Sequence, residues 1–149
     1  MSADGGLLVN ARVELANERL EDLLSEALAR IPKGIQPIKS VQSVRSRARG
    51  PSAGFVGLTT YSLADRYGQR SSSPGGGAKQ TITFYRELLD LLSDRATVAV
   101  IVHELAHAWL NEHVSPEESK ERERETDELV ARWGFSEELG ALDSEAESM

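Results

Sequence analysis

The chain has 149 residues, a hydrophobic share of 40% and a formal net charge of -7 at pH 7. This length suits a single domain over residues 1–149, and an acidic protein is a poor non-specific binder of nucleic acid. Without cysteine, the chain can form neither a disulfide framework nor a thiolate zinc site. It contains no stretch typical of a membrane span, and its first residues lack the pattern of a secretory signal, so we expect a cytoplasmic protein with no membrane partner.

The N-terminal half predicts a helix followed by strands. Residues 17–31 place leucines, an alanine and an isoleucine on one stripe before a proline and a glycine, which indicates an amphipathic helix. Short apolar and β-branched pieces at 38–44 and 54–61 predict two strands. The arginines at 45–49 lie between these pieces and are interpreted as a solvated loop.

The middle of the chain predicts a loop, a strand and a short helix. Residues 68–79 are rich in serine and glycine and predict a mobile loop. Residues 80–85 alternate threonine with apolar residues and predict a strand, and 86–92 predict a helical turn. Ser93 followed by Asp94 is a typical start of the next helix.

The most informative segment is HELAH at residues 103–107, inside this predicted helix. Positions four apart lie on one face, so His103 and His107 can present their imidazoles to the same metal ion. Glu104 can reach a metal-bound water without ligating the metal, which is the position of a general base. The surrounding residues are apolar, so unpaired imidazoles there would cost about 1–3 kcal/mol for each polar group. The pattern therefore predicts a catalytic zinc site that needs a third protein ligand.

One candidate for the third ligand is His113, which stands ten residues after His103, as in the HExxHxxGxxH pattern of metzincins. That pattern has a glycine where this chain has Leu110, and leucine does not readily adopt the left-handed backbone that reverses the chain. If the helix continues, His113 lies about 80° from His103 around the axis. Asn111 could end the helix instead, so His113 stays open as a ligand.

The other candidates lie on the following helix. Ser115, with a proline next to it and a glutamate three residues later, predicts its start, and Gly134 predicts its end. The buried stripe of Leu129, Val130 and Trp133, carried back from Leu129 and Val130 in steps of three or four positions, reaches Thr126 and then Glu123. Glu123 can therefore face inward beside the two histidines.

HELAH followed by Glu123 and Asp127 resembles the gluzincin pattern HExxH and ExxxD. The run ERETDELVARWGF is also similar to a segment of small soluble peptidases, the minigluzincins and the ImmA/IrrE type, with Thr126 where those families usually have alanine. The resemblance implies that Glu123 is the third zinc ligand and that Asp127 accepts a hydrogen bond from a ligand imidazole. Glu125, which also lies near the buried boundary, and His113 remain alternative ligands.

From these elements we expect an α+β protein with a single-domain minimal zincin fold. It combines a small mixed sheet, an edge strand beside the active-site helix, and a following helix that carries the ligand glutamate. The resemblance implies that the strand at 80–85 is this edge strand and the platform for an extended peptide or protein substrate. Residues 137–149 are acidic and poor in large apolar side chains, and predict a frayed tail.

The predicted function is that of a zinc-dependent endopeptidase with one Zn²⁺ per chain. Glu104 would act as general base toward the metal-activated water. The alternative hypothesis is a latent or inactive zincin that serves as a zinc-containing binding or regulatory protein, with residues 1–16 or the acidic tail covering the cleft. Donors for the oxyanion are not identified, although Tyr61, Tyr67, Tyr85 and His113 are candidates.

Overall fold

The structure, a computed structural model, describes residues 7–48, 79–114 and 120–147, and the backbone alone of residues 57–61. The predicted loop at 68–79 lies outside the described residues except for Lys79. The predicted helix start at Ser115 lies outside them as well.

Four strands form one mixed sheet in the order β1-β2-β4-β3. β1 runs parallel to β2 and β2 parallel to β4, whereas β3 is antiparallel to β4. The strands span Arg12–Glu14 (β1), Val41–Arg47 (β2), Gly57–Tyr61 (β3) and Gln80–Tyr85 (β4). Together with the helices, this sheet confirms the predicted α+β fold.

The predicted position of β4 in the sheet is wrong, although its bounds are as predicted. β4 pairs on both sides, since Thr83 is in register with Arg45 of β2 and with Leu58 of β3. Among the described strands, β3 lies at the edge of the sheet and packs near the long helix α3 introduced below. The edge strand beside the site helix is thus β3.

The arginines at 45 and 47 are also placed differently from the prediction, because β2 extends through both of them. Val41 and Val44 are buried while Arg45 and Arg47 are exposed, so the strand continues with its charged side chains in solvent. The apolar residues of this segment end at Val44, where the contact of β2 with the core ends, but the strand continues to Arg47.

The part of the chain that the structure describes contains five α-helices. They span Glu18–Arg30 (α1), Arg86–Leu89 (α2), Asp94–His113 (α3), Lys120–Val130 (α4) and Ser136–Glu147 (α5). The predicted starts of α1 and α3 are confirmed, because the side chain of Asn17 accepts a hydrogen bond from Leu20 N and that of Ser93 accepts one from Ala96 N. None of the described helices combines the length and the apolarity needed to cross a membrane.

Helix α3 lies at the centre of the molecule. It contacts α1, α4, α5, β3 and β4, and its residues from Ala96 to Val102 are all buried. A helix covered on nearly all sides is held rigidly by packing. Side chains that α3 presents to a neighbouring helix therefore have well-defined positions.

The C-terminal region corrects the prediction of a frayed tail at 137–149. One π-helical turn, Ala131–Phe135, follows α4, and within it Gly134 adopts φ 101°, a left-handed conformation that suits glycine. The chain then continues as α5, which packs along α3 and places Leu139, Ala141 and Leu142 against the core. Residues 137–147 are therefore helical and packed on the fold, and 148–149 lie outside the described residues.

Candidate metal centre

Two histidines from HELAH lie on the face of α3 that is turned toward α4. The ring centroids of His103 and His107 are 6.3 Å apart, and both side chains are mostly buried. Glu104, the next residue on the helix, is buried, and its charge acts on His103. The helix therefore presents two imidazoles together, as the spacing predicts, and the buried Glu104 directly follows the first of them.

Helix α4 brings Glu123 to both rings. Glu123 Oε1 lies 3.3 Å from His103 Nε2, and Glu123 Oε2 lies 3.7 Å from His107 Nε2. One turn later, Asp127 Oδ1 lies 3.2 Å from His103 Nδ1. Glu123 thus bridges the two Nε2 atoms, and Asp127 contacts the outer nitrogen of His103, as the ExxxD resemblance implies.

These contacts change the protonation of His103 and Glu123. Burial lowers the pKa of His103, but hydrogen bonds to Asp127 and Glu123 outweigh it and raise that pKa to about 10. The hydrogen bond from His103 holds the pKa of Glu123 below its ordinary value. Without a metal, the site is therefore an imidazolium between two carboxylates, and a cation at this point would replace a proton.

The donor set fits zinc by chemistry and approximately by distance. Two imidazole nitrogens and a carboxylate are common zinc ligands, and tetrahedral bonds of about 2.0–2.1 Å separate the donor atoms by about 3.4 Å. The distance of 3.3 Å from His103 to Glu123 matches this spacing, and 3.7 Å from His107 is slightly wide. Within the described residues, no group of three or more histidine, aspartate or glutamate side chains is in position to hold a metal ion, so binding one ion would require these side chains to move.

The two alternative ligands, His113 and Glu125, contact residues other than His103 and His107. His113 Nε2 donates to the carbonyl oxygen of Pro37 at 2.9 Å, and its ring packs against Trp109 with centroids 4.7 Å apart. Glu125 Oε1 accepts from Arg122 Nε at 3.0 Å. Helix α3 continues to His113, so Asn111 does not end it. Of the tyrosines considered for the oxyanion, Tyr67 and the side chain of Tyr61 lie outside the described residues, and Tyr85 is buried.

Sequence reasoning missed Asn111 as a neighbour of the site. Its Nδ2 lies 3.2 Å from His107 Nδ1, on the side of the ring away from Glu123. Asn111 follows His107 by one helical turn, so the spacing that pairs the histidines could also have identified it. Its further contacts, with Gln80 and Arg122, join distant parts of the chain.

Comparison with protein families supports the interpretation of these residues as part of a zinc metallopeptidase. The model of Peptidase family M48 matches residues 74–138, a stretch that contains β4, the two histidines and the acidic pair of α4. Searches of curated proteins and of solved structures gave no significant match. The family match supports a zinc metallopeptidase family and, with it, peptide or protein substrates.

Proposed function

We propose that this protein is a zinc-dependent endopeptidase of the small soluble gluzincin type, similar to the minigluzincins and the ImmA/IrrE peptidases. The observation that carries the proposal is the bridging position of Glu123 between His103 Nε2 and His107 Nε2. Two ligand histidines and one ligand glutamate leave a fourth coordination position open, which is typical of catalytic zinc sites. The contact of Asp127 with His103 supplies the outer partner that such ligands usually have.

The residues of the site divide between holding the metal and moving a proton. His103, His107 and Glu123 would hold one zinc ion per chain. When bound, zinc would act as a Lewis acid that lowers the pKa of a water and polarises the substrate carbonyl. Glu104, which lies close to His103 without being needed as a ligand, would accept the proton of the attacking water and return it to the leaving amine.

The sheet suggests where an extended substrate would lie. Among the described strands, β3 has a neighbour on one side only, and it packs near α3. An extended peptide could add to the outer edge of β3 through main-chain hydrogen bonds, which tolerate many sequences. β4 cannot serve in this way because both of its edges are already paired.

Metal content tests the ligand set. We expect the wild type to contain about one zinc per chain, and Glu123→Ala to lose it, because a ligand is removed from an otherwise intact helix. Elemental analysis of purified protein measures this. Glu125→Ala and His113→Ala are matched controls that should keep zinc. Retention of zinc by Glu123→Ala, with loss in one of the controls, would assign the third ligand to that residue instead.

Turnover tests the role of Glu104. We expect Glu104→Gln to keep zinc and to lose peptidase activity by a factor of at least about 10²–10⁴, since general-base catalysis is removed while the ligands stay in place. Cleavage of a denatured protein substrate, measured beside zinc content, gives both readouts. Undiminished proteolysis by Glu104→Gln would show that another group takes the proton. A wild type that holds zinc and cleaves nothing would favour a binding or regulatory protein.

A further inference from the structure

A chain of buried polar side chains crosses the molecule behind His107. Gln80 of β4, Asn111 of α3 and Arg122 of α4 are only 1%, 3% and 1% exposed. Gln80 Oε1 accepts from Asn111 Nδ2 at 3.0 Å, and Asn111 Oδ1 accepts from Arg122 Nη1 at 3.4 Å. Polar groups buried this deeply are costly unless they are hydrogen-bonded, so a continuous chain of them next to a ligand histidine suggests a specific role.

The orientation of the Asn111 amide follows from its neighbours. The carbonyl oxygen of Ala108 can only accept, so Gln80 turns its Nε2 toward it at 3.0 Å, and the same nitrogen donates to Ser40 Oγ at 2.8 Å. Gln80 Oε1 then faces Asn111 and requires a donor there. Arg122 has only donors and requires the oxygen of Asn111. Both neighbours therefore favour the same orientation of the Asn111 amide, with Nδ2 toward Gln80 and His107 and Oδ1 toward Arg122.

We propose that Asn111 is a positioning residue for His107, and that Gln80 and Arg122 set which end of its amide faces the ring. This inference rests on the proposed metal site. The two ligand histidines then differ: His103 has the carboxylate of Asp127 at its Nδ1, whereas His107 has the neutral amide of Asn111 at 3.2 Å. A carboxylate offers an acceptor on either oxygen, but an amide offers one only from its carbonyl end.

Because of this amide orientation, metal binding by His107 would require the Asn111 side chain to turn. An amide nitrogen facing Nδ1 suits a ring whose proton is on Nε2, the atom directed at Glu123. A metal on Nε2 requires the proton on Nδ1, which then needs an acceptor. Asn111 would have to turn its oxygen to the ring and give up its contacts with Gln80 and Arg122. An aspartate at this position would need no such turn and would still face the buried Arg122.

Zinc affinity measured by competition with a chromophoric chelator tests this inference. We expect Asn111→Asp to bind zinc about 10–100-fold more tightly than the wild type, because its carboxylate accepts from His107 Nδ1 without the turn that the amide needs. Thr97→Val, another buried polar position on α3 that does not touch the site, is the matched control and should leave zinc affinity unchanged.

A second readout does not depend on zinc or on turnover. Long-range ¹H–¹⁵N NMR of chelator-treated protein locates the ring proton of His107. We expect it on Nε2 in the wild type and on Nδ1 in Asn111→Asp, and a purely structural role of Asn111 would not produce this difference. The position of the ring proton in the wild type remains decisive if Asn111→Asp does not fold.

Two results would overturn the inference: a ring proton on Nδ1 in the metal-free wild type, or wild-type zinc affinity in Asn111→Asp. A wild type that binds no zinc at all would instead overturn the proposed function, and with it the metal-binding part of this inference. The two failures are therefore distinguishable.

Discussion

Helices α4 and α5 each carry five carboxylate side chains, and both pack on α3. In α4, the side chains of Glu123 and Asp127 keep 58% and 56% of their surface exposed and face imidazole rings. In α5, the Glu138 side chain is only 10% exposed and lies 2.9 Å from Arg30 Nη1. Glu145 accepts from both the backbone N and the side-chain Oγ of Ser93 at the start of α3.

The difference lies in the partners of these carboxylates. Imidazoles can exchange a proton for a metal ion, so carboxylates that bridge two of them at an accessible position form a candidate site. A guanidinium and a helix start are fixed donors, so carboxylates that face them fasten helices together. We therefore expect substitution of Glu123 or Asp127 in α4 to change metal binding, and substitution of Glu138 or Glu145 in α5 to change stability.

Outside the proposed ligands and Glu104, the largest effect in this comparison is expected from Asp127→Ala. It removes the acceptor at His103 Nδ1, so the ring loses its fixed orientation and basicity, and zinc affinity should fall about 10–100-fold. Chelator competition measures the change. Glu128→Ala, the neighbouring exposed carboxylate of α4, is the control and should bind zinc as the wild type does. Equal affinities in the two variants would contradict the role of Asp127.

Glu138→Ala should change stability and leave zinc affinity unaltered. The Arg30 side chain is 39% exposed, and it keeps Glu26 at 3.4 Å and the centre of the Phe135 ring at 4.4 Å. A partly exposed ion pair of this kind typically contributes about 0.2–1 kcal/mol of unfolding free energy. Denaturant unfolding measures it, with the exposed Glu137→Ala as control. A zinc-binding defect in Glu138→Ala would contradict the proposal that carboxylates of α4 serve metal binding and those of α5 serve stability.

Local patterns were enough to predict much of the fold and most of the site. The amphipathic stripe of α1, the start of α3 at Ser93 and the bounds of β4 depend on neighbours within one or two turns. The pairing of His103 with His107 depends on the same spacing. The buried stripe of α4 pointed to Glu123, and family resemblance added its role as ligand and Asp127; the structure brings both side chains to His103.

The parts that sequence reasoning missed depend on contacts between distant residues. The place of β4 in the sheet is decided by its pairing with β2 and β3, which its own pattern does not encode. The acidic composition of 137–149 predicted fraying because the partners Arg30 and Ser93 lie far away in the chain. The buried contact from Gln80 to Asn111 spans 31 positions, so no local spacing reveals it.

The pH dependence of stability distinguishes the two helices in metal-free protein. The raised pKa of His103, about 10 when folded, means that its contribution to stability is complete below the unfolded value of 6.5 and is lost as pH rises through about 10. We expect unfolding free energy to decrease over this window in chelator-treated wild type, and less so in Asp127→Ala. Zinc competes with the proton on His103, so zinc affinity should rise with pH. An equal slope in both proteins would show that Asp127 does not hold the proton.

The smallest effect is expected from Glu145→Ala, which removes the carboxylate that accepts at 2.8 Å from Ser93 N and at 2.6 Å from Ser93 Oγ. Ser93 still caps α3, because its Oγ accepts from Ala96 N, so only a minor decrease in melting temperature should follow. Hydrogen exchange should accelerate at the first amides of α3.

The hydrogen bond from the Ser93 side chain, and to a smaller extent the one from its backbone N, hold the pKa of Glu145 below its ordinary value. The stabilisation from Glu145 is therefore present above the unfolded pKa of 4.5 and is lost as pH falls through the lowered value. Glu147→Ala on the same helix is the control for charge alone. Because Ser93 lies almost three turns before His103, zinc affinity should not change. Weaker zinc binding in Glu145→Ala alone would show that the start of α3 helps to set the position of the metal ligands, and α5 would then belong to the site as much as α4 does.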